Sequence, residues 1–485
     1  MQLAYYFQAR TRLLIGLLAF FLMLMTTAPP YANAAAIDFT RHLSQHSNGT
    51  GKSVINQDSF FGVPGSARLI VTSSCEAISA TIQLNGTKVV GADSFIGAGQ
   101  FEVPVTLAKD NTISVTLNGA HGGSVSIRVK QVADIELHFE SRLHFNTNVS
   151  DFVAAREFYG KLGFGTLMEF PGTNTQEMAQ AIGIRTPTSY DGSKGEYAGG
   201  YLLRNELLAP SFFKWGATAM KGGFIDLIEF TIPRNEEPPY AQLNHLGIAR
   251  AAMYTTNITA DYQYMKSAGV QFISAPTARS DGTKFAIFSD LDGTHYELIE
   301  SEGEDVETEN THIFRLAQVN INVSDFERSR AWYQMLGYNV SRKLAPTDSM
   351  EVSNAMGFKE EFRLDGAILT HRTDGSLLEL VQWITPHNPE RPYDIPVNHI
   401  GINRIAFATS DIVADVATLK SQGVQFLSDI TPCCSGPDSS GSIVAFYDPD
   451  GTIIEVAEQP IMAQLSMMLS WLIDKILNWV CTLLN

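Results

Sequence analysis

The feature that most constrains this chain is a long-period repeat after about residue 135. Val149-Ser-Asp-Phe152 reappears as Val323-Ser-Asp-Phe326, and Asn244-His-Leu-Gly247 reappears as Asn398-His-Ile-Gly401. Self-similarity at long period indicates that one structural unit occurs more than once. We therefore expect two copies of one fold in this part of the chain.

Each copy contains the start and stop signals of a strand, a helix and a turn. Asp151 and Asp325 precede amphipathic stretches, as N-cap residues do, and a Leu-Gly-aromatic exit follows each stretch. Both copies close with an acidic turn and a strand, Asp290-Leu-Asp-Gly before Glu297 and Asp448-Pro-Asp-Gly before Glu455.

In this order the motifs resemble the vicinal oxygen chelate superfamily of glyoxalases, bleomycin-resistance proteins and extradiol dioxygenases. The resemblance implies an α+β fold, with two tandem domains of paired βαβββ modules. It places the first domain at 135–302 and the second at 311–460, with the acidic segment 303–310 as the linker.

The preceding residues divide into three segments. Arg10 and Arg12, the apolar run 13–25 and Ala32-Asn-Ala34 are typical of a signal peptide over 1–34, and a retained anchor is the alternative. We therefore expect export to the periplasm or outside the cell. A flexible segment is expected over 35–52, and alternating apolar residues predict an all-β sandwich over 53–134, with a turn at Asn85-Gly86 and no catalytic role.

Composition excludes some partners and leaves the cysteines open. A net charge of −17 without a basic patch argues against nucleic acid. Cys433 and Cys434 are adjacent, which allows either a vicinal disulfide or two free thiols in a loop. Residues 461–485 predict an amphipathic helix that packs on the protein, self-associates or lies on a membrane surface.

The resemblance also implies site positions on the first and last strands of each module. These positions are His144, Asp226, Arg250 and Glu297 in the first copy and Gln318, Glu379, Arg404 and Glu455 in the second. Strand alternation independently places three polar side chains on one face in each copy. They are His144, Asn146 and Asn148 in the first copy and Gln318, Asn320 and Asn322 in the second.

Arg250 and Arg404 stand where the superfamily places histidine. A guanidinium cannot ligate a metal, so two-His-one-carboxylate dioxygenase chemistry is not expected. In one interpretation, the arginines pair with Asp226 and Glu297, or with Glu379 and Glu455, and replace the metal. In the other, they bind an anionic substrate while His144, Asp226 and Glu297 hold one Mn, Fe or Zn ion.

The remaining candidates serve catalysis and substrate binding in the first copy. His144 and Glu297 are candidate acid–base residues, and His295 is an additional nitrogen ligand, a general base or a turn histidine. His245 and His399 are expected at strand entries. The predicted substrate-binding residues are Asn146, Asn148, Arg250, Tyr254, Asn320, Asn322 and Arg404.

Two functions follow from these positions. The first is an exported enzyme that acts on a small organic substrate in the first copy, with a divalent metal as its candidate cofactor. Because glutathione is largely cytosolic, a standard glutathione-dependent glyoxalase is not expected. The alternative is a non-catalytic protein that binds small anions.

Overall fold

The computed structural model describes most of the chain after residue 34. The described residues are 35–41, 54–61, 65–73, 78–95, 99–108, 110–119, 125–133, 137–170, 181, 183, 196–203, 223–230, 234–303, 310–394, 397–433 and 441–458. The expected signal peptide, most of the acidic linker, Cys434 and the segment 461–485 that was expected to be a helix lie outside them. None of the helices in these ranges is long and apolar enough to span a membrane.

The described residues between 35 and 133 form two antiparallel sheets. The strands are β1 (Ala35–Arg41), β2 (Val54–Phe61), β3 (Gly65–Ser73), β4 (Ile78–Leu84), β5 (Thr87–Val90), β6 (Gln100–Leu107), β7 (Asp110–Gly119) and β8 (Val125–Ala133), with a 3-10 turn at Ala92–Phe95. Their orders are β1-β8-β3-β6 and β2-β7-β4-β5, and one buried apolar cluster contains residues of both, such as Leu69 and Val115. Residues 35–41, expected to be flexible, instead pair with β8.

The described residues from 137 to 458 form four modules. Module 1 has β9 (Phe139–Asn148), α1 (Phe152–Lys161), β10 (Phe164–Phe170), β11 (Glu196–Leu203) and β12 (Phe224–Phe230). Module 2 has β13 (Gly247–Thr255), α2 (Ile258–Ser267), β14 (Gln271–Phe272), β15 (Thr277–Ala278), β16 (Lys284–Ser289) and β17 (His295–Glu300). Module 3 has β18 (Ile313–Asn322), α3 (Phe326–Met335), β19 (Tyr338–Lys343), α4 (Met350–Ala355), β20 (Arg363–His371) and β21 (Leu377–Thr385). Module 4 has β22 (Gly401–Thr409), α5 (Ile412–Ser421), β23 (Thr431–Cys433), β24 (Gly441–Tyr447) and β25 (Ile453–Glu458).

The modules pair across the two sequence copies. The first sheet, β10-β11-β12-β9-β22-β25-β24-β23, joins module 1 to module 4. The second sheet, β14-β16-β17-β13-β18-β21-β20-β19, joins module 2 to module 3. At each junction the central strands are antiparallel, β9 with β22 and β13 with β18. The repeats are therefore tandem in sequence, but each sheet contains half of each copy.

Within each sequence copy, the helix of the first module contacts the acidic turn of the second module. The hydroxyl of Tyr159 in α1 donates to Asp290 Oδ2 at 2.9 Å, and Tyr333 in α3 donates to Asp448 Oδ2 at 2.9 Å. Asp151 and Asp325 cap their helices, as predicted. The acidic turns therefore link the two sheets, because each turn belongs to one sheet and the helix that contacts it belongs to the other.

The largest apolar cluster contains residues of both sheets and four helices. Phe145 of β9 belongs to it, while the side chains of His144 and Asn146 on either side of Phe145 do not. The alternation of β9 thus separates a core face from a polar face.

Candidate functional site

Arg250 lies between two carboxylates in the second sheet. Its Nε donates to Glu297 Oε2 at 2.8 Å, and its Nη2 donates to Glu379 Oε2 at 2.5 Å. Arg279 Nη2 donates to the other oxygen of Glu297. Arg250, Glu297 and Glu379 are buried, whereas the Arg279 side chain is 22% exposed. We call these four residues the ion-pair cluster.

The two carboxylates of this cluster have opposite pKa shifts. Burial alone would raise the pKa of Glu297, but Arg279 and Arg250 together hold it at about 2. Burial raises the pKa of Glu379, and the attraction of Arg250 opposes this increase only in part. Glu297 is therefore a fixed anion, and Glu379 takes up a proton more readily than an ordinary glutamate.

The ion-pair cluster forms one wall of a cavity of about 730 Å³. Arg250, Arg279 and Glu379 line it, together with Tyr254 and Gln318. The lining also has an apolar wall, which includes Met356, Phe362, Leu364, Ile368, Val381 and Trp383. A cavity of this size with a few convergent polar groups on an apolar wall is typical of a small-molecule site.

The first sheet holds a smaller cluster. Arg404 Nε donates to Glu455 Oε2 at 2.7 Å, and its Nη1 donates to Asn403 Oδ1 at 3.0 Å. His144 Nε2 lies 3.7 Å from Glu455 Oε1. Burial lowers the pKa of His144 to about 4, which the nearby Glu455 opposes, so the imidazole is neutral at pH 7.

Asp226 also lies in the first sheet. It accepts a hydrogen bond from Asn146 Nδ2 at 2.7 Å. The predicted metal set of His144, Asp226 and Glu297 is therefore wrong as a group, because Glu297 belongs to the second sheet. Internal repetition shows which modules are alike, but the strand pairing decides which side chains meet.

The two arrangements do not fit the divalent ion that the superfamily resemblance implies. In the second sheet a guanidinium occupies the space between Glu297 and Glu379. In the first sheet Arg404 holds Glu455. Within the described ranges, no three side chains of His, Cys, Asp or Glu are grouped so that they could hold a metal ion.

The side-chain amides of Asn148 and Asn322 donate to backbone carbonyls, although both residues were expected to bind substrate. Asn148 Nδ2 donates to the carbonyls of Val397 and His399, and the 2.8 Å bond to His399 has a counterpart of 2.7 Å from Asn322 to His245. Asn322 Nδ2 also donates to Leu243 O, and its Oδ1 accepts from Trp383 Nε1 at 2.9 Å. These amides hold the entries of β22 and β13 in place.

The histidines outside the sheet clusters lie near those entries. His245 and His399 each contact the next carbonyl through Nδ1, at 2.8 and 2.9 Å. The entry glycines are needed sterically, because Gly401 has φ +110° and a Cβ there would lie 2.8 Å from Pro239. His295 contacts Ser289 Oγ at 3.1 Å and lies beside His399, outside the lining of the large cavity.

Two features of the site were missed from sequence. Arg279 lies in a connection after β15, outside the strand positions that the repeat identifies. The apolar wall comes partly from the segment around α4, which occurs in module 3. A lone arginine in a polar loop gives no sequence signal, although its cation is needed to neutralise Glu297.

Cys433 takes part in a disulfide bond. The free-thiol interpretation is therefore wrong for this residue. Cys434 lies outside the described residues.

A sheet built from two βαβββ modules, with polar side chains of its central strands lining a cavity, defines the vicinal oxygen chelate class of proteins. The chain belongs to the Glyoxalase/Bleomycin resistance protein/Dioxygenase superfamily, whose family model matches residues 141–298 and 315–456, together more than half of the chain.

Solved structures that are similar to the chain include glyoxalase I from Zea mays, with 18% identity, coverage of 66% of this chain and 92% of that chain, and a TM-score of 0.45. A putative dioxygenase from Bacillus subtilis has 11% identity, covers 67% of this chain and 87% of its own, and has a TM-score of 0.44. A variant of 4-hydroxymandelate synthase from Streptomyces coelicolor has 13% identity, 66% and 93% coverage and a TM-score of 0.22. A search of curated proteins gave no match.

Proposed function

We propose that this protein binds a small organic molecule in the cavity of the second sheet, and that it does so without a metal ion. One observation carries the proposal: Arg250 bridges Glu297 and Glu379 while a cavity of about 730 Å³ remains beside it. The arginine supplies the positive charge that an ion would otherwise supply.

The cavity supports binding through two kinds of contact. The apolar wall around Phe362 and Trp383 would cover the body of the ligand. Arg250, Gln318 and Glu379 would fix its polar end by hydrogen bonds. Ligand binding to the folded state raises thermal stability in proportion to the logarithm of ligand concentration, so a thermal shift is a suitable assay.

The test combines metal analysis with a ligand screen on the purified chain. We expect no stoichiometric metal, no change of melting temperature with a chelator, and stabilisation by organic ligands that Arg250→Met abolishes. A stoichiometric ion that is lost on His144→Ala would instead support a metal enzyme and would overturn the proposal.

Acid–base catalysis in the first sheet is the second candidate function. It is favoured by the approach of His144 Nε2 to Glu455 Oε1, 3.7 Å, because a neutral imidazole beside a carboxylate is suited to proton transfer. Turnover that is lost in His144→Gln and retained in Arg250→Met would assign catalysis to this sheet.

Export and surface association are part of the same proposal. Mass spectrometry of the mature chain tests cleavage near Ala35, which the signal-like segment 1–34 predicts. Sedimentation with liposomes tests the amphipathic segment 461–485, and its loss on deletion after Pro460 would support membrane association.

A further inference from the structure

Two arginines of the cavity wall share a single carboxylate. Glu297 accepts from Arg250 through Oε2 and from Arg279 through Oε1. Glu297 is fully buried, whereas both arginines line the cavity. The carboxylate therefore holds two guanidinium groups of the cavity lining at once.

Both arginines have donors that the described part of the protein does not use. Arg250 Nη1 is buried in the wall and has no hydrogen-bond partner among the described residues. Arg279 makes its hydrogen bond through Nη2, and its guanidinium lies 4.0 Å from the centre of the Phe285 ring, which fixes its plane. A guanidinium carries five N–H donors, so several remain for a ligand.

We infer that Arg250 and Arg279 form a clamp for the oxyanion head of a ligand, a carboxylate in the first instance, whose apolar body lies along Phe362, Leu364 and Trp383. This inference rests on the proposed function and names the ligand class for the same cavity. Paired guanidinium groups suit an anion with two oxygens, because each oxygen can accept from a separate donor.

The two exposed cations of the cavity lining have other partners. Arg342 Nη1 lies 3.4 Å from Asp281 Oδ2, and Lys343 Nζ lies 3.6 Å from Asp365 Oδ1. Both side chains are more than half exposed. Solvent screens them, so they can guide an anion toward the cavity but add little to its affinity.

The experiment measures the affinity of aryl- and alkyl-carboxylic acids and of their matched primary amides by titration calorimetry on the full chain. We expect each acid that binds to bind about tenfold tighter than its amide, which is the effect of one charge-assisted hydrogen bond. Arg279→Met should remove about that factor for the acid and leave the amide unchanged, and Arg279→Lys should restore part of it.

Arg328→Met is the matched control. Arg328 also pairs with a buried carboxylate, Asp450, and is 27% exposed, but it does not line the cavity. Its substitution should leave the ratio of acid to amide affinity unchanged. Equal affinity of acid and amide, or an equal loss for both in Arg279→Met, would overturn the clamp while leaving the proposed function intact. Failure of both series to bind would overturn the proposed function and the clamp with it.

Discussion

Arg250 and Glu379 belong to different sequence copies, yet Nη2 of the first lies 2.5 Å from Oε2 of the second. Both side chains are buried. Arg250→Met would leave Glu379 without its cation and should lower the free energy of unfolding by about 3–5 kcal/mol, the usual cost of breaking a buried pair. Urea unfolding measures the loss. Adding Glu379→Gln should recover much of it, and no recovery would show that Arg250 acts through packing.

Asp448 provides a prediction about pH. Burial, with Asp450 adding repulsion, raises the pKa of Asp448 to about 7, while an unfolded Asp has a pKa of about 3.9. The folded protein binds this proton more strongly, so the stabilising contribution is complete below the unfolded pKa and is lost as pH rises through the folded pKa. We expect the stability of wild type relative to Asp448→Asn to fall between about pH 4 and pH 8.

Asp290 is the matched control for this pH profile, because its burial raises its pKa to about 6. The loss of stability relative to Asp290→Asn should therefore be complete about one pH unit lower. Difference profiles cancel the histidines that both variants retain. Flat profiles for both variants would contradict the conclusion that burial raises the pKa of these two carboxyl groups.

Asn322 and Asn148 should differ in their effect on the ligand. Each holds a strand entry through its amide, so Ala at either position should cost about 1–3 kcal/mol, the penalty for buried groups left unpaired. Asn322 also accepts from Trp383, which lines the cavity. Calorimetry should therefore show weaker ligand binding for Asn322→Ala and unchanged binding for Asn148→Ala. If both variants change ligand affinity equally, the contact between Asn322 and Trp383 does not contribute to ligand binding.

Removal of the arginines should open the second sheet to a metal. Arg250→His combined with Arg279→Met leaves an imidazole and two carboxylates, a set that divalent transition metals accept. We expect this double variant to bind one Mn, Fe or Zn ion and to be stabilised by it. Arg250→Met with Arg279→Met is the control and should bind none. If neither variant binds an ion, the strand geometry, rather than the arginine, excludes it.

Local features of the fold were predictable from sequence, because they depend on neighbouring residues. Asp151 and Asp325 cap their helices, and Asn85-Gly86 forms a turn with both φ values positive. Strand alternation separated His144 from Phe145, since residues two apart share a face. The motifs of the tandem repeat, which carry the resemblance to the superfamily, are also local, because they are helix caps, turns and strand ends.

The composition of each site was not predictable in the same way. The sequence showed that Arg250 and Arg404 would replace a metal ligand, and the salt-bridge interpretation of them named Glu297 and Glu455 among the partners. It did not show that Glu297 meets Glu379 rather than Asp226, because two similar modules can pair within a copy or between copies. The role of Arg279 could not be predicted from sequence, because it depends on a contact with Glu297, which lies on another strand.

Module 1 pairs with module 4, and module 2 pairs with module 3, so the two sheets can form at different times during synthesis of the chain. Modules 2 and 3 are adjacent in sequence, so the second sheet can form as soon as β21 is available. The first sheet needs contacts as distant as His138 with Asp415, 277 residues apart, and cannot close until the last module has been made. Until then β9 presents an unpaired edge, a surface that a chaperone or a second nascent chain would recognise.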